Sequence, residues 1–495
     1  MLVILPHNPG DVIMALQAIR RIKAQHPGLE VDYLVGEECR DLVQGSPLIR
    51  RVIPIPKRAL KAFWNAGDAA GVMELLESFL ADLASTRYAL SANLFQERSG
   101  GLIQSFIRAD RKIGLEFICN TNFRIQSRFL EHLAAIPADR GGNGWHVVDI
   151  YIRAISHALG GGNPRPSQRR AENAATLLPP LLRPDACKSL VPGEYLAFHP
   201  GSAWAGKRWP ESQWAGLAVR CARAGFTIAF TGAPEERAVM ERISAGLDAA
   251  ARAAVVDCVG ATSLAGAAWV CTHARMVVTG DTVAMHLAAA GGVQTLALFG
   301  ASNPVETGPY GKGHVLIQTD ATPLPDLAFD REHPGLAHLR ADEVAAYLLE
   351  GIPPPGFPMW ETGWDDSFQA QVLHDAKRRP HPSLGRAAGL MKALDRHPEG
   401  GPGDPPRPEG LREKLGGALE KSILEPTAEN LSALEAVDRE WAEDTRANLI
   451  WEAYRIAVNG LPLGDLPAYL IARKARFGKA LLEEALSIEI PVAER

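Results

Sequence analysis

The chain has 495 residues, 46% of them hydrophobic and 22% charged, with a formal net charge of −5. That length predicts two or three domains, each with its own core, and the mild acidity excludes general nucleic-acid binding while leaving local basic patches open. Cys39, Cys119, Cys187, Cys221, Cys258 and Cys271 are dispersed without a C-x-x-C pair, which predicts reduced thiols rather than a disulfide or metal framework.

The N-terminus, MLVILPHNPGD, lacks a basic leader and its apolar run breaks at Pro6, so a first strand is expected rather than a signal peptide. No apolar stretch reaches the roughly 18 residues of a membrane span. The expectation is a cytoplasmic protein that at most touches the inner membrane surface.

Residues 1–175 alternate apolar runs and amphipathic stretches. A strand at Leu2–Leu5 leads through PHNPGD into the helix-like VIMALQAIRRIKAQHPG, then VDYLVG and RRVIPIP. YALSANLF, GLIQSFIRAD and RKIGLEF continue the alternation, and NGWHVVDIYIRAISHALGG predicts a long helix. Such βαβ units predict a parallel sheet. Residues 190–350 start the pattern afresh, from YLAFHPGS to QTLALFG. Two α/β halves joined by the Pro-rich stretch 163–192 predict two Rossmann-like domains facing a cleft. Residues 352–495 differ: IPPPGFP and the breaker-rich run 397–410 predict a linker, and the apolar spacing at 411–424, 427–458 and 466–486 predicts a helical extension.

Four stretches carry chemistry. In NPGDVIMAL, Asp11 sits between the first strand and helix; it is either an N-cap or a general base that accepts a proton from an attacking hydroxyl. The single Gly10 there makes a dinucleotide fingerprint a poor match. In HPGSAWAGKRWP, Ser202 and Lys207 follow a strand end; the alternatives are an anion site and a solvated basic turn over a packed Trp. In FTGAPEE, Gly232 closes a strand, and Glu235 and Glu236 either favour the helix dipole or bind ribose hydroxyls. In VVTGDTVAMHLAAAGG, Asp281 can cap a helix whose Thr282, Val283 and Ala284 amides then point at an anion. His286 lies one turn in, either as a structural residue or as part of that site.

Taken in order, GDVIMALQAIRRIKAQHP, HPGSAWAGKRWPESQWAGLA, TGAPEE and the stretch from GATSLAGAAW to GPYG resemble the glycosyltransferase family 9 heptosyltransferases. The resemblance covers roughly residues 1–350 and implies a GT-B fold, with acceptor recognition in 1–175 and nucleotide-sugar binding in 190–350. It implies inverting, metal-independent transfer of heptose from an ADP-activated donor to a lipopolysaccharide-core sugar hydroxyl, with no cofactor beyond the donor substrate. Asp11 would then be the base, Lys207 with Ser202 would meet the phosphates, and Glu236 (or Glu235), beside Gly232, the ribose. Thr262 would lie by the adenine, and Asp281, Thr282, the Val283 amide and His286 around the diphosphate and heptose.

Two departures stand out. Family members usually carry Gly where this chain has Val283, and the loop LPHNPGD differs from the usual Ser-rich or Trp-containing versions. They keep two alternatives open: a GT-B transferase using another nucleotide sugar or a protein acceptor, and an inactive sugar-nucleotide-binding or scaffold module. The basic stretches KRALKAF (57–63) and IRADRKIG (107–114) are either solvated surface or a face for an anionic, membrane-anchored acceptor. Oligomeric state is not readable from the chain.

Overall fold

In a computed structural model the described residues are 1–119, 122–136, 145–160, 177–300, 302–319, 334–362 and 370–374. The expected helices at 411–424, 427–458 and 466–486, the run 397–410 and residues 163–176 of the joining stretch lie outside them. The chain divides into two compact units, one from Met1–Phe79 and Arg140–Met391, the other with its described residues within Leu80–Asp139.

The first unit opens with strand β1 (Leu2–Ile4), helix α1 (Pro9–Gln25), β2 (Asp32–Gly36) and β3 (Arg51–Ile55). Strand β2 pairs in parallel with both β1 and β3. Every residue of β1 and β2 is buried, the expected state of a parallel strand covered on both faces. Asp32 is tolerated there because Arg50 meets its carboxylate with two bonds of 2.8 Å.

The second unit holds β4 (Arg87–Asn93), β5 (Arg108–Cys119) and β6 (Asn122–Gln126). Strands β4 and β5 are parallel, and β5 and β6 antiparallel. The buried Gln104 ties its helix, Arg98–Phe106, to both parallel strands: Ser91 Oγ donates to its Oε1 at 2.6 Å, and its Nε2 donates to the Ile113 carbonyl at 2.9 Å.

Back in the first unit, helix α2 (Val147–Ala158) packs on α1. An eight-stranded sheet follows. Its strands are β7 (Tyr195–His199), β8 (Thr227–Phe230), β9 (Val255–Asp257), β10 (Met276–Gly280), β11 (Thr295–Phe299), β12 (Val315–Gln318), β13 (Met359–Thr362) and β14 (Ala370–His374). Their order is β14-β13-β12-β11-β10-β7-β8-β9, parallel from β12 to β9. The antiparallel β13 and β14 extend this sheet, so the described start of the third segment is strand. The breakers of IPPPGFP hide that, because each strand is only four or five residues long.

Phe198, Trp209, Trp214 and Phe230 form the aromatic centre of the core on this sheet. Trp209 and Trp214 meet edge to face at 5.1 Å, and the Trp209 indole N–H donates to the Leu339 carbonyl at 2.8 Å. These anchors fix the end of the loop that leaves β7. Cys39, Cys187, Cys221, Cys258 and Cys271 are free thiols, and the Cys187 and Cys258 sulfurs lie 3.0 Å apart. Among the described residues, no helix is long and apolar enough to cross a membrane.

Candidate functional site

Strand β1 runs into α1 through Pro6–Asn8. Helix α1 starts at Pro9, whose fixed φ suits the first helical position and whose missing N–H costs nothing there. Asn8 therefore holds the N-cap position, with φ 40°, and Asp11 lies inside the first turn. Capping by Asp11, one of its two expected roles, is corrected by this register. Its carboxylate instead accepts from Asn8 Nδ2 at 3.1 Å. Burial pushes the Asp11 pKa up, against the Asn8 hydrogen bond and the charge of His7; Asp281 adds to the rise and Lys207 opposes it. The charges of Lys207 and Asp281 are thus close enough to act on Asp11. Gly10 explains how: a side chain there would meet the His286 ring at 3.0 Å, so glycine lets α1 approach that ring.

Beyond β7, the loop Gly201–Trp209 turns on its own polar groups. The Ser202 hydroxyl accepts from the Trp204 amide at 3.3 Å, and Arg208 Nε donates to the Ser202 carbonyl at 2.8 Å. The loop is seated against β10 and β11: a side chain at Gly280 would come within 2.9 Å of the Lys207 carbonyl, and one at Gly300 within 3.1 Å of that of Gly206. Seated there, Lys207 Nζ donates to Asp281 Oδ2 at 2.6 Å. The pair is sheltered, with side-chain exposures of 20% and 6%.

Asp281 does not cap the helix that follows, α3 (Val283–Ala290), because both of its oxygens are engaged elsewhere. Oδ2 holds Lys207, and Oδ1 accepts from the Thr307 hydroxyl at 3.3 Å. Thr282 occupies the N-cap position in extended backbone, with its hydroxyl 2.8 Å from that of Thr279. The first amides of α3 have no carbonyl one turn back to bond, which keeps this helix end suited to an anion. Val283 is the first helical residue and is partly buried. His286 is buried, and burial takes its pKa down to about 4, so it is a neutral imidazole at pH 7.

The structure distinguishes Glu235 from Glu236. Glu235 is exposed, whereas the Glu236 carboxylate turns back to accept from the Ala233 amide at 2.8 Å and lies over Gly201 and Gly232. A Cβ on Gly201 would overlap that carboxylate. Only the mobile end of a side chain would have to yield, so the fold should tolerate Gly201→Ala while Glu236 is displaced. If Glu236 meets the ribose as the resemblance implies, Gly201→Ala weakens ADP binding by about tenfold or more, the cost of one charge-assisted hydrogen bond, at an apo melting temperature close to that of the parent. Calorimetric titration checks it. Next to Glu236, the Gly260 amide donates to the Gly232 carbonyl at 2.9 Å, which brings the Thr262 loop alongside. The Thr262 hydroxyl oxygen is buried with no hydrogen-bond partner.

The structure thus brings Asp11, Lys207, Asp281 and His286 together at one place, and Glu236, Gly232 and Thr262 along the edge of the eight-stranded sheet, after β8 and β9. Thr307 was not singled out in the sequence; it lies in a stretch that showed only family likeness. Of the basic stretches, Lys57 bonds Glu38 at 2.9 Å and the Pro6 carbonyl at 3.0 Å, while Arg58 and Lys61 are exposed on helix Lys57–Asn65. Residues 107–114 mostly form β5, where Lys112 pairs with Glu116 at 2.9 Å. Among the described residues, no group of three or more His, Cys, Asp or Glu is placed to hold a metal ion.

Residues 121–334 match the family model described as glycosyltransferase family 9 (heptosyltransferase). Lipopolysaccharide heptosyltransferase 1 of Pseudomonas aeruginosa is 31% identical over 323 residues, covering 64% of this chain and 83% of that protein. Lipooligosaccharide heptosyltransferase 2 of Haemophilus influenzae is 24% identical, covering 64% and 88%. Among solved structures, the Escherichia coli heptosyltransferase WaaC with ADP superposes with a TM-score of 0.53 at 22% identity, covering 70% of this chain and 98% of that one. A glycosyltransferase family 9 protein from Veillonella parvula gives 0.55 at 20% identity, covering 70% and 96%. These likenesses give the fold as GT-B.

Proposed function

We propose, from the premise that this chain belongs to glycosyltransferase family 9 and is a glycosyltransferase, that it transfers heptose from ADP-heptose to a sugar hydroxyl of a lipopolysaccharide core, with inversion and without a metal. The observation that carries this reading is the convergence of Asp11 with the Lys207–Asp281 pair. A partly buried carboxylate with a raised pKa stands on the turn that Gly10 brings up to the His286 ring, where the charges of Lys207 and Asp281 act on it, the arrangement that transfer between two substrates requires.

In this reading the acceptor oxygen attacks the anomeric carbon of the donor, and the bond from that carbon to the β-phosphate oxygen breaks. Asp11 takes the hydroxyl proton as the new bond forms. Lys207 and the first amides of α3 meet the charge gathering on the departing ADP. Neutral His286 donates or accepts a hydrogen bond there without adding charge. Glu236 has the position and acceptor oxygens for ribose hydroxyls, and the orphan Thr262 hydroxyl has unfilled capacity for the adenine edge. Exposed Arg58 and Lys61 suit an anionic acceptor carried at the cytoplasmic side of the inner membrane.

Val283 favours one rival, a different nucleotide sugar, because a branched side chain fills space at the anion-binding turn that glycine leaves open. Its amide still donates. A thermal-shift screen separates the two: ADP and ADP-heptose are expected to raise the melting temperature, by about 1–2 °C per kcal/mol of binding for a chain of this size. Stabilisation by UDP- or GDP-sugars with none by ADP or its sugars would overturn the donor assignment.

A further inference from the structure

The first unit contains a polar cluster that the proposed chemistry does not use. His146 Nε2 lies 2.8 Å from the Gly308 carbonyl, Tyr310 Oη donates to Asp149 Oδ1 at 2.8 Å, and Gln17 Nε2 donates to the Tyr310 carbonyl at 3.4 Å. His146, Asp149 and Gln17 are all buried. His146 is held neutral, its pKa lowered to about 3 chiefly by burial, so it adds no charge at pH 7. Buried polar groups cost free energy unless each finds a partner, so a cluster this complete fixes one geometry. What it fixes is the segment Thr307–Tyr310. Gln17 belongs to α1, the helix that carries Asp11, and Asp149 to α2, which packs on α1.

At the near end of that segment, the Thr307 hydroxyl bonds Asp281 Oδ1 while Lys207 bonds Oδ2. A carboxylate held at one oxygen only is free to rotate about its side-chain torsions. Held at both, it presents Lys207 in one place. We infer that Thr307–Tyr310 is a strut between the base-bearing helix and the donor-side pair, and that Thr307 is a positioning residue that sets Lys207 through Asp281. The strut rests on the reading of Lys207 as the group that meets the leaving diphosphate.

Thr307→Val removes the hydroxyl at nearly constant volume, and Thr307→Ser retains it. Thr307→Val is expected to lower kcat by about ten- to a hundredfold, the range for a displaced catalytic group, with donor KM changed much less. Thr307→Ser should restore most of the loss, and Tyr310→Phe, which frees the far end, should lower kcat in the same direction. A second readout needs no substrate: labelling of the Lys207 amine by an N-hydroxysuccinimide ester, followed by mass spectrometry. The amine should label several-fold faster in Thr307→Val than in the parent or Thr307→Ser. Absence of transfer in the parent would count against the proposed function alone, and labelling would still test the strut. The strut is overturned if Thr307→Val labels like the parent, or if its kcat stays within twofold. It is also overturned if Thr307→Ser behaves like Thr307→Val. Should Thr307→Val not fold, Thr307→Ser and Tyr310→Phe carry the test, with parent-like kcat and labelling in Tyr310→Phe overturning it.

Discussion

Asp11→Ala is expected to lower transfer by at least about a thousandfold, within the range for loss of a general base, while ADP still binds within a few-fold of the parent. The separation follows from position. Asp11 is in the first turn of α1, in the N-terminal half, and its carboxylate accepts from Asn8 on the same turn. Asp11→Asn should be as inactive, because an amide cannot take the proton. The pH dependence has a definite sign. Burial raises the folded pKa of Asp11, so activity should fall on acidification at a pH above the ordinary carboxylate range. The same shift costs stability. A raised carboxylate pKa means that the folded state binds the proton more tightly than the unfolded chain. The penalty is absent below the unfolded pKa and complete once the pH has risen past the folded one. Asp11→Asn should therefore melt at or above the parent temperature at pH 7 and lose that advantage in acid. Steady-state kinetics, ADP titration and thermal melts across pH check all three parts. Near-normal turnover in Asp11→Ala would remove the base assignment.

Much of this site is legible in the chain because its parts stand at strand ends. Strand-loop-helix punctuation places Asp11, Lys207, Glu236 and Asp281 at the carboxyl edges of the sheets, where ligands bind in open α/β folds. What the pattern does not carry is partnership. Asp281 precedes a helix and so reads as a cap, yet its oxygens go to Lys207, 74 residues away in sequence, and to Thr307, 26 residues away. Asp11 reads as a cap for the same local reason, and the register set by Pro9 moves it one turn inward. Glu235 and Glu236 are equivalent on dipole grounds, and it takes the fold to distinguish them, through the bond from the Ala233 amide and the glycines beneath Glu236. The strut is the least legible part. Asp149 and Gln17 sit on apolar helical stretches and His146 caps one, places where isolated polar residues carry no signal, and their meaning depends on the arrival of Tyr310. Strands β13 and β14 are missed for another reason: they are short additions at a sheet edge, in a segment whose prolines suggest a linker.

Lys207→Met should reduce kcat/KM by about a hundred- to a thousandfold, the cost of removing one preorganised group that meets developing negative charge. It should also destabilise the protein, and the two effects have different owners. Lys207 is the more exposed member of its pair, and Asp281 is nearly buried. Removing the lysine therefore strands the carboxylate, at a cost of about 3–5 kcal/mol for a broken buried pair, whereas Asp281→Asn leaves an ammonium that can still reach water. Burial alone would raise the pKa of Asp281, but the charge and hydrogen bond of Lys207, with smaller help from His286, bring it below the usual value. The pair accordingly contributes stability above the unfolded carboxylate pKa of about 3.9 and loses it as the pH falls through the lower folded value. In the double variant, Lys207→Met with Asp281→Asn, the stranded charge is gone, so most of the melting temperature should return. Activity should not return, because the diphosphate still lacks its cation. Calorimetric melts beside donor-saturation kinetics on the single and double variants separate the two. Recovery of both in the double variant would mean that Lys207 serves only to neutralise Asp281. Recovery of stability alone is the outcome expected of a lysine that Asp281 holds ready and the leaving group uses.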